Sequence, residues 1–230
     1  MFVEKYTSGV YCLVMKLASL HHLAKKEPIW HVQLGVFVAI LLQLLLNSKL
    51  VVGPRMLIVG LEVLLFFALA VFGPFKKKIS FHLRRTLAVS LIAVISLSNI
   101  SSLLLVIHSL FTSNGVTGRQ LIVSGLAIYL TNIIIFGLWY WELDSDGVQG
   151  QSTDVQPVDF LFPQMSMKNA SSWSPTFFDY LYVSITNATA FSPTDTLPLT
   201  HRAKLLMTLQ STTSLLTVAL VAARAVNILS

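Results

Sequence analysis

The sequence predicts an all-α integral membrane protein: five transmembrane helices, a re-entrant pore-like half-helix and an N-terminal amphipathic helix. Three observations carry that prediction. Of the 230 residues, 54% are hydrophobic and 11% charged, less than half of the about 25% charged residues found in a soluble domain. The apolar residues come in long runs, as a bilayer requires. The basic residues gather between and before those runs: Lys76, Lys77, Lys78, Arg84 and Arg85 in one place, Lys5, Lys16, Lys25 and Lys26 in another. Such clusters orient a chain in a membrane and meet anionic headgroups.

The net charge of +6 comes with no nucleic-acid recognition motif, so the lipid bilayer is the expected partner and nucleic acid is not. A single cysteine, Cys12, leaves no intrachain disulfide and no multi-cysteine metal site. No secretory signal peptide is expected, because Glu4 and Lys5 precede a segment broken by charge.

Residues 1–31 form an N-terminal segment. Between positions 9 and 26, Leu13, Leu17, Leu20 and Leu23 recur at roughly helical spacing. The stretch is too short and too charged to span. It either lies at the membrane surface as an amphipathic helix or packs on the bundle.

Residues 32–141 hold four expected spans. The first, Val32 to Val52, follows Trp30 as an interfacial anchor but contains Gln33, Gln43, Asn47 and Lys49. Gly53-Pro54 breaks the chain, and Pro54 can open the next helix. The second span, Met56 to Phe72, is short for a crossing. The third, Thr86 to Phe111, carries Ser96, Ser98, Asn99, Ser101 and Ser102 at its centre. Ser98 and Ser102 fit the spacing of small residues that lets helices approach closely, which marks this helix as interior. Ser113-Asn114-Gly115 is a turn. The fourth span, Leu121 to Trp141, ends in Trp139-Tyr140-Trp141, the pattern of an aromatic belt.

Residues 142–175 change character. Glu142, Asp144, Asp146, Asp154 and Asp159 face a single Lys168, with Gly147, Gly150, Pro157, Pro163 and Pro175 among them. This predicts an irregular, acidic, water-exposed loop, long enough to suggest function or mobility.

Residues 176–230 hold the most informative stretch. Phe177 to Phe191 is too short for a comfortable span and contains Asp179, Ser184, Thr186, Asn187 and Thr189. A re-entrant half-helix buried in protein accommodates it, since irregular backbone at membrane depth is tolerated only there. A polar break follows, then a last span, Ala203 to Leu229. Asp179, Leu181, Tyr182, Ser184, Thr186, Thr189, Asp195, Pro198 and Thr200 stand at positions similar to those of the pore region of tetrameric potassium channels. In that family a half-helix with a D-x-L-Y-x-S pattern leads into a glycine-containing filter, a short exit and an inner helix. The resemblance covers about Pro175 to Leu229 and implies a homo-oligomer, a tetramer, conducting a monovalent cation. The implied ion pathway is Thr186, Thr189, Ala190, Phe191, Ser192, Thr194 and Asp195. The filter itself departs from the family: no glycine, one residue too many, and Pro193. Filter glycines let successive carbonyls face the ion, so the departure argues against the known potassium-selective geometry.

In overall layout the chain also resembles an uncharacterised class of bacterial multi-spanning membrane proteins. There an aromatic segment leads to a T-S-D stretch and a final span ending in a V-N pair. Asp179-Tyr180-Leu181-Tyr182-Val183-Ser184, Thr194-Asp195 and Val226-Asn227 carry that likeness. It implies a cell-membrane location, and a non-conducting scaffold or partner protein is the alternative function.

The basic loop Lys76 to Arg85 is the strongest cytoplasmic signal. Two spans later the acidic loop falls on the same side, whereas a potassium-channel pore segment enters from outside. Glu62 and Arg224 are ionisable residues at membrane depth, expected either to pair or to reach the interface. His21, His22 and His31 lack the carboxylate or cysteine company of a metal site. Asp144-Ser145-Asp146-Gly147 lacks the rest of an EF-hand loop. Ser184, Thr186 and Thr189 have no histidine base nearby in sequence. No enzyme, metal or cofactor is therefore expected.

Overall fold

The computed structural model describes residues 30–72, 81–112, 116–149, 158–167, 173–189 and 195–229. Among these, the helices in chain order are α1 Trp30–Leu44, α2 Arg55–Phe72, α3 Phe81–Phe111, α4 Gly118–Gln149, α5 Phe177–Thr189 and α6 His201–Leu229. Two short strands, β1 Phe160–Leu161 and β2 Leu197–Pro198, pair antiparallel. The expected N-terminal amphipathic helix, Lys76 to Lys78 and the turn Ser113-Asn114-Gly115 lie outside the described residues.

Three helices are long and apolar enough to cross a membrane: Leu83–Leu110 in α3, Gly118–Asp144 in α4 and His201–Val226 in α6. The expected first span, Val32 to Val52, is not one helix. α1 stops after 15 residues at Leu44, about 22 Å of helix against a hydrocarbon core of about 30 Å. The side chain of Asn47 then accepts the Lys49 N–H at 3.0 Å and starts a 3₁₀ turn, Ser48–Leu50. Gly53, at φ +77°, takes a left-handed conformation that other residues resist. Arg55 donates from its guanidinium to the Leu44 carbonyl, tying the start of α2 to the last turn of α1. The polar residues Asn47 and Lys49 thus belong to a helix end.

Side-chain capping sets the other helix starts. Thr117 and Gln120 form a reciprocal capping box before α4: the Gln120 N–H donates to Thr117 Oγ1 at 3.3 Å, and the Thr117 N–H to Gln120 Oε1 at 2.9 Å. Before α5, the Asp179 carboxyl accepts from both the N–H and the hydroxyl of Thr176, each at 2.7 Å. Thr200 Oγ1 accepts the Ala203 N–H at 3.2 Å at the head of α6.

α4 is the central helix, and α1, α3 and α6 all run antiparallel to it. Along α1, Gly35 meets Ile134 and the N–H of Asn47 reaches Ser124 Oγ. Along α3, Ser96 Oγ accepts from Trp139 Nε1 at 3.0 Å, and Asn99 Nδ2 donates to the Ile128 carbonyl at 3.3 Å. Along α6, Gln210 lies beside Tyr140, Ser214 beside Asn132 and Val221 beside Gly125. α2 runs antiparallel to α1, with Phe66 against Phe37 and Glu62 against Gln43.

The expectation that α3 is the interior helix is corrected in degree. Ser98, Asn99 and Ser102 are buried, but 61% of the membrane-length window of α4 is buried against 44% for α3. α4 achieves this with small residues at its crossings. A Cβ at Gly125 would run into Val221 Cγ2, and one at Gly137 would sit 3.3 Å from the Leu181 Cα. The glycines let α6 and α5 approach the α4 backbone.

The aromatic triplet at the end of α4 is not a lipid-facing belt. Tyr140 is fully buried, packed against Phe136 and Phe160, and Trp139 spends its N–H on Ser96. At its start the acidic stretch is helix and not loop, while Ser166 and Met167 further on are exposed. α4 continues through Glu142 to Gln149, and Glu142, Asp144 and Asp159 are buried. Phe160 and Phe162 close a small apolar cap with Tyr140, Tyr180, Val183 and Ala203.

Candidate functional site

The α4–α5–α6 unit concentrates the polar chemistry of the bundle. α5 has 13 residues, about 20 Å, too short to cross. It lies between the two long helices. Its inner face is Phe177, Tyr180, Val183, Ser184 and Ala188, all buried; Phe178, Tyr182 and Ile185 on the other face are exposed. Alternation at helical spacing produces this division.

Gln210 of α6 is the hub, and it is fully buried. Its Nε2 donates to the Ser184 carbonyl at 2.9 Å and to Ser184 Oγ at 2.6 Å. Its Oε1 accepts from the Tyr140 hydroxyl and from Asn187 Nδ2, the latter at 2.8 Å. Ser184 passes its own proton to the Ile133 carbonyl at 2.6 Å. Asn187 also donates to the Met207 carbonyl at 2.9 Å and accepts from Ser211 Oγ at 2.9 Å. One turn further along α6, Asn132 donates to Ser214 Oγ at 2.9 Å. Every member named here has a partner, which is the condition for a polar network to hold helices together.

The chain enters and leaves α5 at one end of the bundle. Asp144, at the end of α4, accepts the Asp159 N–H at 2.8 Å and the Tyr180 hydroxyl at 2.6 Å. The Thr200 hydroxyl, at the start of α6, donates to the Asp159 carboxyl, and the Leu199 N–H donates to the Asp159 carbonyl at 2.9 Å. β1 pairs with β2 at the same place, Phe160 opposite Pro198. Asp144, Asp159 and Thr200 therefore form a clasp that joins the end of α4 to the start of α6, with α5 between them in sequence. From the clasp, α5 lies seven to eleven residues down α4, at Gly137 and Ile133, and seven to eleven residues past Thr200 along α6, at Met207 to Ser211.

The sequence-predicted pathway residues divide. Thr186 is half-buried, and its hydroxyl donates back to the Tyr182 and Val183 carbonyls at 2.9 and 3.0 Å. Thr189 is exposed at the end of α5 and donates to the Thr186 carbonyl at 3.1 Å. Asp195 is exposed. Ala190, Phe191, Ser192 and Thr194 lie outside the described residues. Glu62 and Arg224 are not brought together. Glu62 is buried where α2 meets α1, while α6 packs mainly on α4 and α5.

Sequence reasoning missed the hub and the clasp. Gln210, Ser214 and Thr217 recur at i, i+4 and i+7 on the last span and are all buried, a polar stripe at helical spacing. That stripe was the available signal. The Asp159–Thr200 link spans 41 residues and left no local signal.

No protein-family model, curated protein or solved structure matches this chain. The class rests on architecture alone: three membrane-length helices, with a fourth, short helix wedged between two of them. Among the described residues no group of three or more His, Cys, Asp or Glu side chains could hold a metal ion.

Proposed function

We propose that this chain is a multi-pass protein of the cell membrane whose α4–α5–α6 unit is a pore-loop unit, assembled as a homo-oligomer, a tetramer, that conducts a monovalent cation. The observation that carries the reading is the clasp: the two chain ends flanking a helix too short to cross are joined at one end of the bundle. α5 is then a re-entrant half-helix; α2, α3, α4 and α6 cross, and α1 needs its continuation through the 3₁₀ turn to Leu50 to make the fifth crossing. Depths of seven to eleven residues along α4 and α6 correspond to about 10–16 Å below the clasp, inside a hydrocarbon core of about 30 Å.

In the oligomer Thr189 and Asp195, which flank the part of the expected ion pathway outside the described residues, face the axis. Threonine hydroxyls and backbone carbonyls coordinate a partly hydrated cation, and Asp195 raises the local cation concentration. The C-terminal end of α5 carries the negative pole of its helix dipole, which favours a cation beyond Thr189. α6 supplies the surface for assembly: only 17% of its membrane-length window is buried within one protomer, and Leu205, Thr208, Leu209, Thr212 and Leu216 are exposed along it.

The end of the bundle bearing the clasp also carries Arg84, Arg85, Arg202 and Lys204, and the chain entering α3 adds Lys76, Lys77 and Lys78. Positive-inside counting makes that end cytoplasmic. The pore loop then enters from the cytoplasm, the reverse of a potassium channel.

A second reading, a non-conducting scaffold, is favoured by one observation. The Thr186 and Thr189 hydroxyls are turned back onto carbonyls of their own helix, and no glycine follows to relieve the backbone. Native mass spectrometry and potassium flux into proteoliposomes separate the two. The channel reading expects a tetramer with cation flux, and Asp195→Asn lowering that flux at low salt by roughly tenfold, less at high salt. A flux-inactive monomer sinks the channel reading and leaves the scaffold.

A further inference from the structure

The other half of the bundle, α1–α2–α3, holds a buried carboxyl that the pore-loop reading does not use. We propose that Glu62 is a proton-binding site: its carboxyl carries a proton and forms a reciprocal hydrogen-bonded pair with the carboxamide of Gln43.

Glu62 is fully buried and Gln43 is 3% exposed. The Gln43 side chain lies against the Glu62 carboxyl. Yet Glu62 Oε1, Glu62 Oε2 and Gln43 Nε2 all lack a hydrogen-bond partner of normal geometry. Gln43 Oε1 accepts one bond, from Ser98 Oγ of α3 at 3.0 Å, and has a second lone pair to offer.

Counting donors and acceptors decides the protonation state. An ionised carboxyl is an acceptor only. It can take the Gln43 N–H, but its other oxygen then faces no donor and its charge faces no cation. The neutral acid adds one O–H. That O–H reaches the free lone pair of Gln43 Oε1 while Gln43 Nε2 donates to the acid carbonyl. One added proton thus satisfies all three orphaned atoms at once, and the chain Ser98–Gln43–Glu62 ties α3, α1 and α2 together.

α2 packs on α1 and α3. At this crossing Gln43 lies against the Glu62 carboxyl and Ser98 is bonded to Gln43 Oε1. The charged or titratable residues of these elements stand toward helix ends: His31 at the start of α1, Arg84 and Arg85 near the start of α3, His108 near its end. Arg55, two turns before Glu62 on α2, is committed to the Leu44 carbonyl. An unpaired charge in apolar surroundings is expensive enough that the group neutralises instead. A metal cation is a poorer occupant than a proton, because Glu62 and one amide oxygen fall short of the six or so oxygens a hard cation gathers. Losing the proton would strand a carboxylate oxygen and weaken the polar tie of α2 to α1, so proton occupancy and helix packing are linked here.

Infrared spectroscopy of the full-length protein in lipid vesicles tests this. At neutral pH the wild type should show the carbonyl stretch of a neutral carboxylic acid, above the amide I band. Glu62→Gln should remove it while the protein stays folded, since the amide can make the same pair with Gln43. Gln43→Leu should move the band to higher frequency by removing its hydrogen bonds. A second measurement uses only the wild type. A hydrophobic carbodiimide adds across the O–H of a protonated carboxyl to give an O-acylisourea, which rearranges to a stable N-acylurea retaining the whole reagent. Mass spectrometry should find that adduct on the peptide containing Glu62. The absence of both a Glu62-dependent acid band and the adduct overturns the proposal. Neither readout depends on oligomeric state or cation flux, so it stands or falls separately from the channel reading.

Discussion

Replacing Asp144 with leucine is expected to open the clasp and lower the stability of the folded protein by about 2–4 kcal/mol. The carboxyl accepts buried hydrogen bonds from the Asp159 N–H at 2.8 Å and the Tyr180 hydroxyl at 2.6 Å, and the Phe160 N–H also faces it. Leucine matches the branching of the side chain, with more bulk, but removes this acceptor from both donors, and a lost buried hydrogen bond of this kind costs about 1–3 kcal/mol. Asp144→Asn should be milder, because its amide oxygen can still accept from Asp159 and its nitrogen can donate to the Tyr180 oxygen. Thermal unfolding in detergent gives the size of the effect. Limited proteolysis between residues 150 and 172 gives its location: cleavage there should quicken in Asp144→Leu before other sites change. Equal stability for wild type and Asp144→Leu would mean that the clasp contributes nothing to the fold.

Replacing Gln210 with leucine is the second large loss, about 2–3 kcal/mol. The packing volume is nearly kept, so the effect isolates the hydrogen bonds. Not all partners suffer equally. Ser184 keeps the Ile133 carbonyl and Asn187 keeps the Met207 carbonyl. The Tyr140 hydroxyl loses the acceptor of its proton, Gln210 Oε1. Most of the cost should therefore sit on Tyr140, and the double variant Gln210→Leu, Tyr140→Phe should be more stable than Gln210→Leu alone. Replacing both partners by apolar groups removes the orphan that one replacement creates. Additive losses in the double variant would show that the seam is held by something other than this pair.

Most helices were legible from hydropathy alone. α2 and α6 fall within two residues of the expected spans, α3 starts five residues early, and α4 runs eight residues past the expected end at Trp141. Long apolar runs suffice for that, because a helix in lipid must satisfy its backbone internally whatever its side chains do. What failed was judgement about polar residues. Asn47 and Lys49 looked like defects in a 21-residue span. They mark where α1 ends, since Asn47 bonds the backbone of Lys49 more readily than it continues a helix. Trp139-Tyr140-Trp141 looked interfacial because aromatic residues often are. Tyr140 is interior because α6 offers Gln210 at the right height. Glu142, Asp144 and Asp159 looked exposed because they are acidic and near prolines. They are buried because backbone N–H groups and hydroxyls from distant segments meet at least the latter two. Asn47 has its partner two residues on, but the other misreadings share a cause: the partner that changes a polar residue's preference is 15 to 70 residues away in sequence. The short helix α5 starts where the expected segment starts, at Phe177, and ends at Thr189, two residues before the expected Phe191. Its relation to α4 and α6 required Ser184, Asn187 and Gln210 to be seen together.

The central claim is that the chain leaves α4 and returns to α6 on one side of the membrane, with α5 dipping between them. Cys12 is the single cysteine, so a Cys12→Ser background carries one reporter at a time. Ser166 precedes α5 and His201 follows it, and both are exposed. Ser166→Cys and His201→Cys should react with a membrane-impermeant maleimide from the same side of sealed vesicles. Arg119→Cys, at the opposite end of α4, should react only from the other side. Labelling of Ser166→Cys and His201→Cys from opposite sides would make α5 a full crossing and contradict the account.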